Sequence, residues 1–589
     1  MSNLESFGEV YTADVLIIGA GPAGFIAANR IKDLNPNLDV LMIEKSTAAV
    51  SGAKANKGAG VLWVLSENDD LDKFRDFFCT TTGHFIEDQE LLEKFALASR
   101  DMVAHFERWN IKICREPDGT LARADGLPLW SLCAFDLDIL TKLKKIANKR
   151  GVRFVNKTQS VELLTDGNRV VGTVGFDLIT GKFRIFKGKA VILANGACDW
   201  MVANMWTSAR GDGIAAAYRA GAEMRNAEFS NFYNLGLRGS QSCPVGGQFA
   251  LYNSDGEYLA PKYCSEIEHD IDIGIILGME KEVAEGRGPI VMEETELFAN
   301  NPLGVGGFLF RWDRPHAKKF WTTLMDKEME YSSDKGWRPE IFPMFIGECG
   351  PVKTSHEMET TLQGLWAIGD TNRNGAGAFG AVPSPSRLRG TGLTWAAVTA
   401  LLSEKSVVEF ASQASEPEIN EEQVKNFKDL IYAPMKREKG LSPRDPIFLL
   451  GEAVAPPRFS ARKSKERIEE ALAMVNKARQ QYEEVSPAND FHMLGLCHDL
   501  RNMTDCAEMY FTAALERKET RGWHYREDFL ERDDANWRKW IDLKLENGKI
   551  VIRHTKIPFE NYKTPIQPMS SELARILENV KMSPVLEEV

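Results

Sequence analysis

Residues 14–45 read DVLIIGAGPAGFIAANRIKDLNPNLDVLMIEK. An apolar run leads into the turn Gly19-Ala20-Gly21-Pro22-Ala23-Gly24, a helix follows, and a second apolar run closes on Glu44 and Lys45. That order of strand, glycine turn, helix, strand and acid predicts a dinucleotide-binding βαβ unit. Gly19 permits the tight turn, Gly21 lets the backbone approach a pyrophosphate, and Gly24, after Ala23, lets the helix pack on the strand. The helix N-terminus then offers its free N–H groups and positive dipole to the phosphates. Glu44 stands twenty residues past Gly24, the offset at which an acid holds a ribose hydroxyl.

Two further signatures separate FAD from NAD. Leu362-Gln363-Gly364-Leu365-Trp366-Ala367-Ile368-Gly369-Asp370 resembles the strand of two-dinucleotide-fold flavoproteins whose terminal acid contacts the ribityl chain. Ala190-Val191-Ile192-Leu193-Ala194-Asn195-Gly196-Ala197 resembles the strand end that passes the FAD and leaves the sheet, with Ala194 and Gly196 beside the cofactor. Three ordered signatures point to FAD, with Asp370 as the second acid.

The chain has 589 residues, 43% hydrophobic and 26% charged, an ordinary globular composition for several domains around a large core. No stretch approaches the roughly 18 apolar residues of a membrane span, and MSNLESFGEV lacks the basic-then-apolar order of a signal peptide, so a cytoplasmic protein is expected. A net charge of −12 disfavours nucleic acid as a partner. The nine cysteines, Cys79, Cys114, Cys133, Cys198, Cys243, Cys264, Cys349, Cys497 and Cys506, include no CxxC pair. Iron–sulfur ligation by this chain alone is therefore not expected, nor is a metal site.

The expected fold class is α/β: a two-dinucleotide-binding-type FAD domain with an inserted α+β capping domain and a C-terminal helical bundle. Its divisions are residues 1–232 and 346–405 for the two parts of the FAD domain, 233–345 for the cap, 406–520 for the helical domain and 521–589 for a tail. Within them, 71–115 reads as a helical insertion, and 153–186 as a meander with hairpin turns at Thr165-Asp166-Gly167-Asn168 and Thr180-Gly181-Lys182. A helix from Gly392, preceded by Ser384-Pro385-Ser386-Arg387-Leu388-Arg389-Gly390-Thr391, directs its dipole at the flavin. The helical domain shows 3.6-residue periodicity through Ile468, Leu472 and Val475 and again through Leu500, Met503 and Ala507. Glu546-Asn547-Gly548 marks a hairpin in the tail.

These elements, with Gly211-Asp212-Gly213, Ala220-Gly221-Ala222, Glu228-Phe229 and the C-terminal run RKETRGWHYREDF from Arg517, resemble the succinate dehydrogenase/fumarate reductase flavoprotein superfamily. Cys243-Pro244-Val245-Gly246-Gly247 and Tyr432-Ala433-Pro434-Met435 look closest to adenylylsulfate reductase alpha subunits, which pair with a small ferredoxin-like iron–sulfur subunit. The resemblance implies an FAD-dependent oxidoreductase that exchanges electrons through such a partner. Its implied cofactor contacts are Gly19, Gly21, Ala23, Gly24, Glu44, Lys45, Ser51, Gly52, Asn56, Ala194, Gly196, Asp212, Asp370, Ser386 and Leu388.

The family's dicarboxylate chemistry does not carry over. Tyr233 stands where the clamp His would sit, and Ile346 where a second substrate His would. Asp272-Ile273-Gly274-Ile275-Ile276-Leu277-Gly278, a dozen residues before Glu285-Gly286-Arg287-Gly288, holds no proton-donating Arg. Gly52 occupies the covalent-attachment position, so FAD is expected to bind non-covalently. Loss of the groups that hold a carboxylate or sulfate argues against a typical small dianionic substrate.

The candidate catalytic residues are Glu348, Cys349, Arg238 and Tyr233. Glu348 reads either as a general acid with a burial-raised pKa or as the partner of a nearby Arg. Arg238 is the one cation after the altered clamp, and reads as a substrate anchor or a surface residue. Tyr233 and Tyr252 offer hydroxyls, with packing as the alternative. Asn56 and Lys57 belong to the small-residue loop expected to cross the flavin ring, while His356 and His524 read as structural. The expected function is hydride transfer at flavin N5 with a small molecule. Adenylylsulfate reduction and a purely electron-transferring flavoprotein subunit remain as alternatives.

Overall fold

The computed structural model describes residues 3–50, 52, 60–123, 131–202, 209–238, 251–264, 273–292, 312–319, 340–381 and 391–582. Strand β1 (Glu9–Ile18) ends in Val15–Ile18, buried on both faces, as the centre of a parallel sheet requires. Helix α1 (Pro22–Leu34) follows with Pro22 in its first turn, where the missing N–H costs no hydrogen bond, and β2 (Val40–Ile43) returns parallel to β1. With β3 (Arg153–Val155), β4 (Thr158–Asp166), β5 (Arg169–Asp177) and β6 (Phe183–Leu193), the sheet runs β3-β2-β1-β6-β5-β4. The β4-β5-β6 meander is antiparallel, as the hairpin turns predict. Leu365–Ala367 adds a seventh strand, parallel to β6, bringing the second glycine signature beside the first.

The core lies on both sides of this sheet. On one side α1 is covered by α3 (Thr391–Gln413), the helix expected from Gly392; helix α2 (Asp212–Arg219) covers the other. The buried Arg30 of α1 donates to both oxygens of Glu404 on α3, at 2.6 and 2.8 Å.

The capping segment contributes a sheet ordered β7-β10-β9-β8, from Asn231–Leu237 (β7), Leu251–Tyr252 (β8), Ile290–Met292 (β9) and Glu340–Gly347 (β10). Its two long strands cross the expected cap edges at 232/233 and 345/346, so this sheet grows directly out of the FAD body.

Downstream, α4 (Lys465–Val485) and α5 (Phe491–Glu516) pack together, N-capped by Ser464 and Asp490. Helix α5 also packs on α2, within reach of the glycine-rich groove. The expected tail folds back: β11 (Lys539–Glu546) and β12 (Lys549–Lys556) form a hairpin whose Asn547 and Gly548 both have positive φ. β11 pairs with Met224–Arg225, where Arg225 grips Asp542 at 2.8 and 3.1 Å. The RKETRGWHYREDF run is an internal clamp: Arg517 pairs with Glu228 at 2.8 Å and Glu519 at 2.9 Å, all fully buried, and His524 lies 3.0 Å from the Arg517 carbonyl. Among the described residues no helix is long and apolar enough to cross a membrane.

Candidate active site at the FAD groove

The three signatures converge on one groove. Gly19, Gly21 and Ala23 line it from the β1–α1 turn, Glu44 and Lys45 from the end of β2, Ala194, Asn195 and Gly196 from the end of β6, and Asp370 from the far side, with Gly52 and Asp212 between. Gly19 adopts φ +113°, and a Cβ there would lie 2.3 Å from the Ala194 carbonyl oxygen. Gly24 stands behind the turn, where a Cβ would come within 2.1 Å of the Gly19 carbonyl oxygen. At Gly21 the nearest atom to a Cβ is the Gly52 Cα at 3.7 Å, which leaves open the space a pyrophosphate needs. The first turn of α3 lines the groove through Gly392 and Leu393, so its N-terminus faces the site.

The polar groups fit an FAD. Glu44 accepts from the Ala20 and Ser46 N–H groups, both at 2.8 Å, which fixes its carboxylate at the groove wall. Asn195 lines the groove at the end of β6, with its side-chain oxygen turned onto Gly213 in the first turn of α2. Bound here, FAD would supply the redox chemistry. The residues around it bind and orient.

From Asp370 an ion-pair chain runs inward. Arg373, fully buried, contacts Asp370 with one nitrogen and lies 2.7 Å from Glu348 Oε2 with another. Glu348 also accepts from Asn231 Nδ2 at 2.8 Å, and its backbone sits at φ +49°. Its N–H donates to Asp199 Oδ1 at 3.2 Å. Burial opposes the charge on Arg373, but Asp370 and Glu348 outweigh it and hold its pKa above the usual value.

Several expectations need correction. Glu348 takes the second of its two expected readings, as the partner of a nearby Arg, here Arg373, with Asn231 donating to the same carboxylate. Arg238 does not converge with it. Arg238 pairs with Glu340 at 2.9 Å at the opposite end of β10, roughly 25 Å away along the strand, with over half its side chain exposed. Cys349 is fully buried, its thiol pKa pushed well up by burial. Its N–H and C=O both pair with the backbone of Cys198, so it ties the end of β10 to the segment after β6. Tyr233 pairs with Met344 through the β7–β10 register. Ser51, Asn56, Lys57, Ser386, Arg387, Leu388 and Arg389 lie outside the described residues. Sequence reasoning missed Arg373, whose one local signal is its place three residues past Asp370, and Asn231, Asp199, Gln159, Asp499 and Asn502, which carry none.

Groove and fold define an FAD-dependent oxidoreductase. Residues 14–240 match the FAD binding domain, and residues 457–572 match the fumarate reductase flavoprotein C-terminal domain. The chain belongs to the succinate dehydrogenase/fumarate reductase flavoprotein family. It is 25% identical to the 8-methylmenaquinol:fumarate reductase flavoprotein subunit of Wolinella succinogenes, over 94% of this chain and 92% of that one. The E. coli quinol fumarate reductase flavoprotein has the same fold, with a TM-score of 0.79 at 20% identity over 96% of this chain and 99% of that one. Adenylylsulfate reductase from Archaeoglobus fulgidus does too, with a TM-score of 0.74 at 22% identity over 93% and 96%.

Proposed function

We propose that this chain is the catalytic flavoprotein subunit of a two-component oxidoreductase. It exchanges hydride at flavin N5 with a small molecule other than a typical small dicarboxylate, and passes electrons to a separate small iron–sulfur subunit. The observation that carries the reading is Glu348. A non-glycine residue at positive φ costs roughly 1 kcal/mol or more and persists where surrounding structure enforces it, commonly at functional sites. Here that residue is a buried acid tied through the buried Arg373 to Asp370, the acid at the groove wall.

The dicarboxylate exclusion rests on Ile346, buried where the family places a substrate His, and on the apolar, buried start of the helix Ile273–Glu282. A separate iron–sulfur carrier is supported by the relative named as a flavoprotein subunit.

The test is anaerobic: reduce the holoprotein, add fumarate, and follow flavin absorbance. In parallel, the native protein is purified and its visible spectrum read for a co-purifying iron–sulfur centre. No reoxidation by fumarate and a cluster-bearing small subunit are expected. Rapid fumarate turnover, or efficient direct reduction by NADH with no partner, would overturn the reading.

A further inference from the structure

One end of the groove is closed by a charged cluster reaching across more than 450 residues of sequence. Lys45 Nζ lies 3.2 Å from Asp212 on α2 and contacts Asp499 on α5. Gln159 Nε2 donates to Asp499 at 2.9 Å and to Asp212 at 3.2 Å, and Asn502 Nδ2 donates to Asp212 at 3.0 Å. Arg210 stands 3.5 Å from the other oxygen of Asp499, so two cations face two acids. Lys45 keeps 31% of its side chain open and lines the groove, whereas Asp499 keeps 6%. Lys45 thus stands between the groove, which it lines with Asp212, and a second cavity, which it lines with Arg210 and Asp499.

This is the adenosine end. Glu44, adjacent to Lys45, ends β2 where a βαβ unit meets the ribose, and Asp370 and α3 occupy the other side. We propose that Asp499 is a cofactor-positioning residue. Acting through Lys45 and Asp212, it makes the C-terminal helical segment part of the FAD site and sets the preference for FAD over FMN. Without the Asp499 charge, Arg210 loses the acid it pairs with and Lys45 keeps Asp212 alone, so the ammonium is no longer held between two carboxylates. A partly buried charge that loses its partner is costly and relocates toward water.

The proposal is independent of substrate and electron partner, and its readout is binding. Flavin-free protein, prepared from the holoprotein, is titrated with FAD and with FMN, following flavin fluorescence. Asp499→Asn is expected to weaken FAD by roughly 10- to 100-fold, the scale of a charge-assisted contact. FMN, which lacks the adenosine, stays within about twofold. Asn502→Ala removes a neutral side chain that donates to Asp212 and accepts from Arg219 at 3.1 Å, and shifts the FAD-to-FMN ratio in the same direction by less, so it carries the test if Asp499→Asn does not fold. Unchanged FAD affinity in both variants, or equal weakening of FAD and FMN, would overturn the proposal.

Discussion

Arg373 Nη1 lies 2.7 Å from Glu348 Oε2 with both side chains shut off from solvent, and the same guanidinium holds Asp370 at the groove. Removing the cation takes from the buried Glu348 and from the groove acid Asp370 the guanidinium they share. Arg373→Leu is expected to cost about 3–5 kcal/mol, the scale of an uncompensated buried charge. Glu348→Gln keeps shape and the Asn231 contact region and costs less. Urea denaturation of both single variants and the double variant measures the coupling, and strictly additive losses would deny the pair.

Gly21→Val is expected to abolish FAD binding while the chain still folds. A Cβ at Gly21 meets no protein atom closer than 3.7 Å, so the added side chain is tolerated by the protein and fills the cofactor's space. Absorbance of the purified variant near the flavin bands checks this. A yellow protein with normal flavin content would place the pyrophosphate elsewhere.

The glycine turn, Glu44 and the Gly-Asp strand were legible because each acts within its own few residues, through backbone geometry that leaves a fixed spacing. The hairpin at Asn547-Gly548 was legible for the same reason. Arg238 was not, since sequence does not say toward which end of a strand a cation lies, and it pairs with Glu340 at the far end from Glu348. Asp499 left no trace either: a lone acid in an amphipathic helix reads as solvated, and only the packing of α5 on α2 turns it onto Lys45. The 521–589 stretch read as a tail because a two-strand hairpin gives no sign of the third strand, Met224–Arg225, some three hundred residues earlier.

FAD is expected to leave with acid precipitation. Gly52 adopts φ +91°, and a Cβ there would lie 2.9 Å from the Gly21 Cα and 3.3 Å from Pro22 Cδ. Gly52→His is therefore expected to weaken FAD binding and not to attach the flavin. Yellow colour retained in the washed pellet, from either protein, would contradict this.

Lys463 gives the fold an alkaline stability window. Its ammonium is fully buried with one hydrogen bond, to the Trp523 carbonyl at 3.3 Å, and burial aided by nearby Arg526 lowers its pKa to about 7. In the unfolded chain the lysine titrates near 10.4. Between about pH 7 and 10 the unfolded state thus binds more protons than the folded one, and stability rises with pH through that window. Below about 7 both states are charged, and the folded state bears the full cost of burying the ammonium. Lys463→Met, similar in length and uncharged, is expected to raise the denaturation midpoint at pH 6 and to lose that advantage as pH climbs toward 10. Midpoints measured across this range for both proteins decide the matter: parallel curves would mean that Lys463 stays charged in the fold.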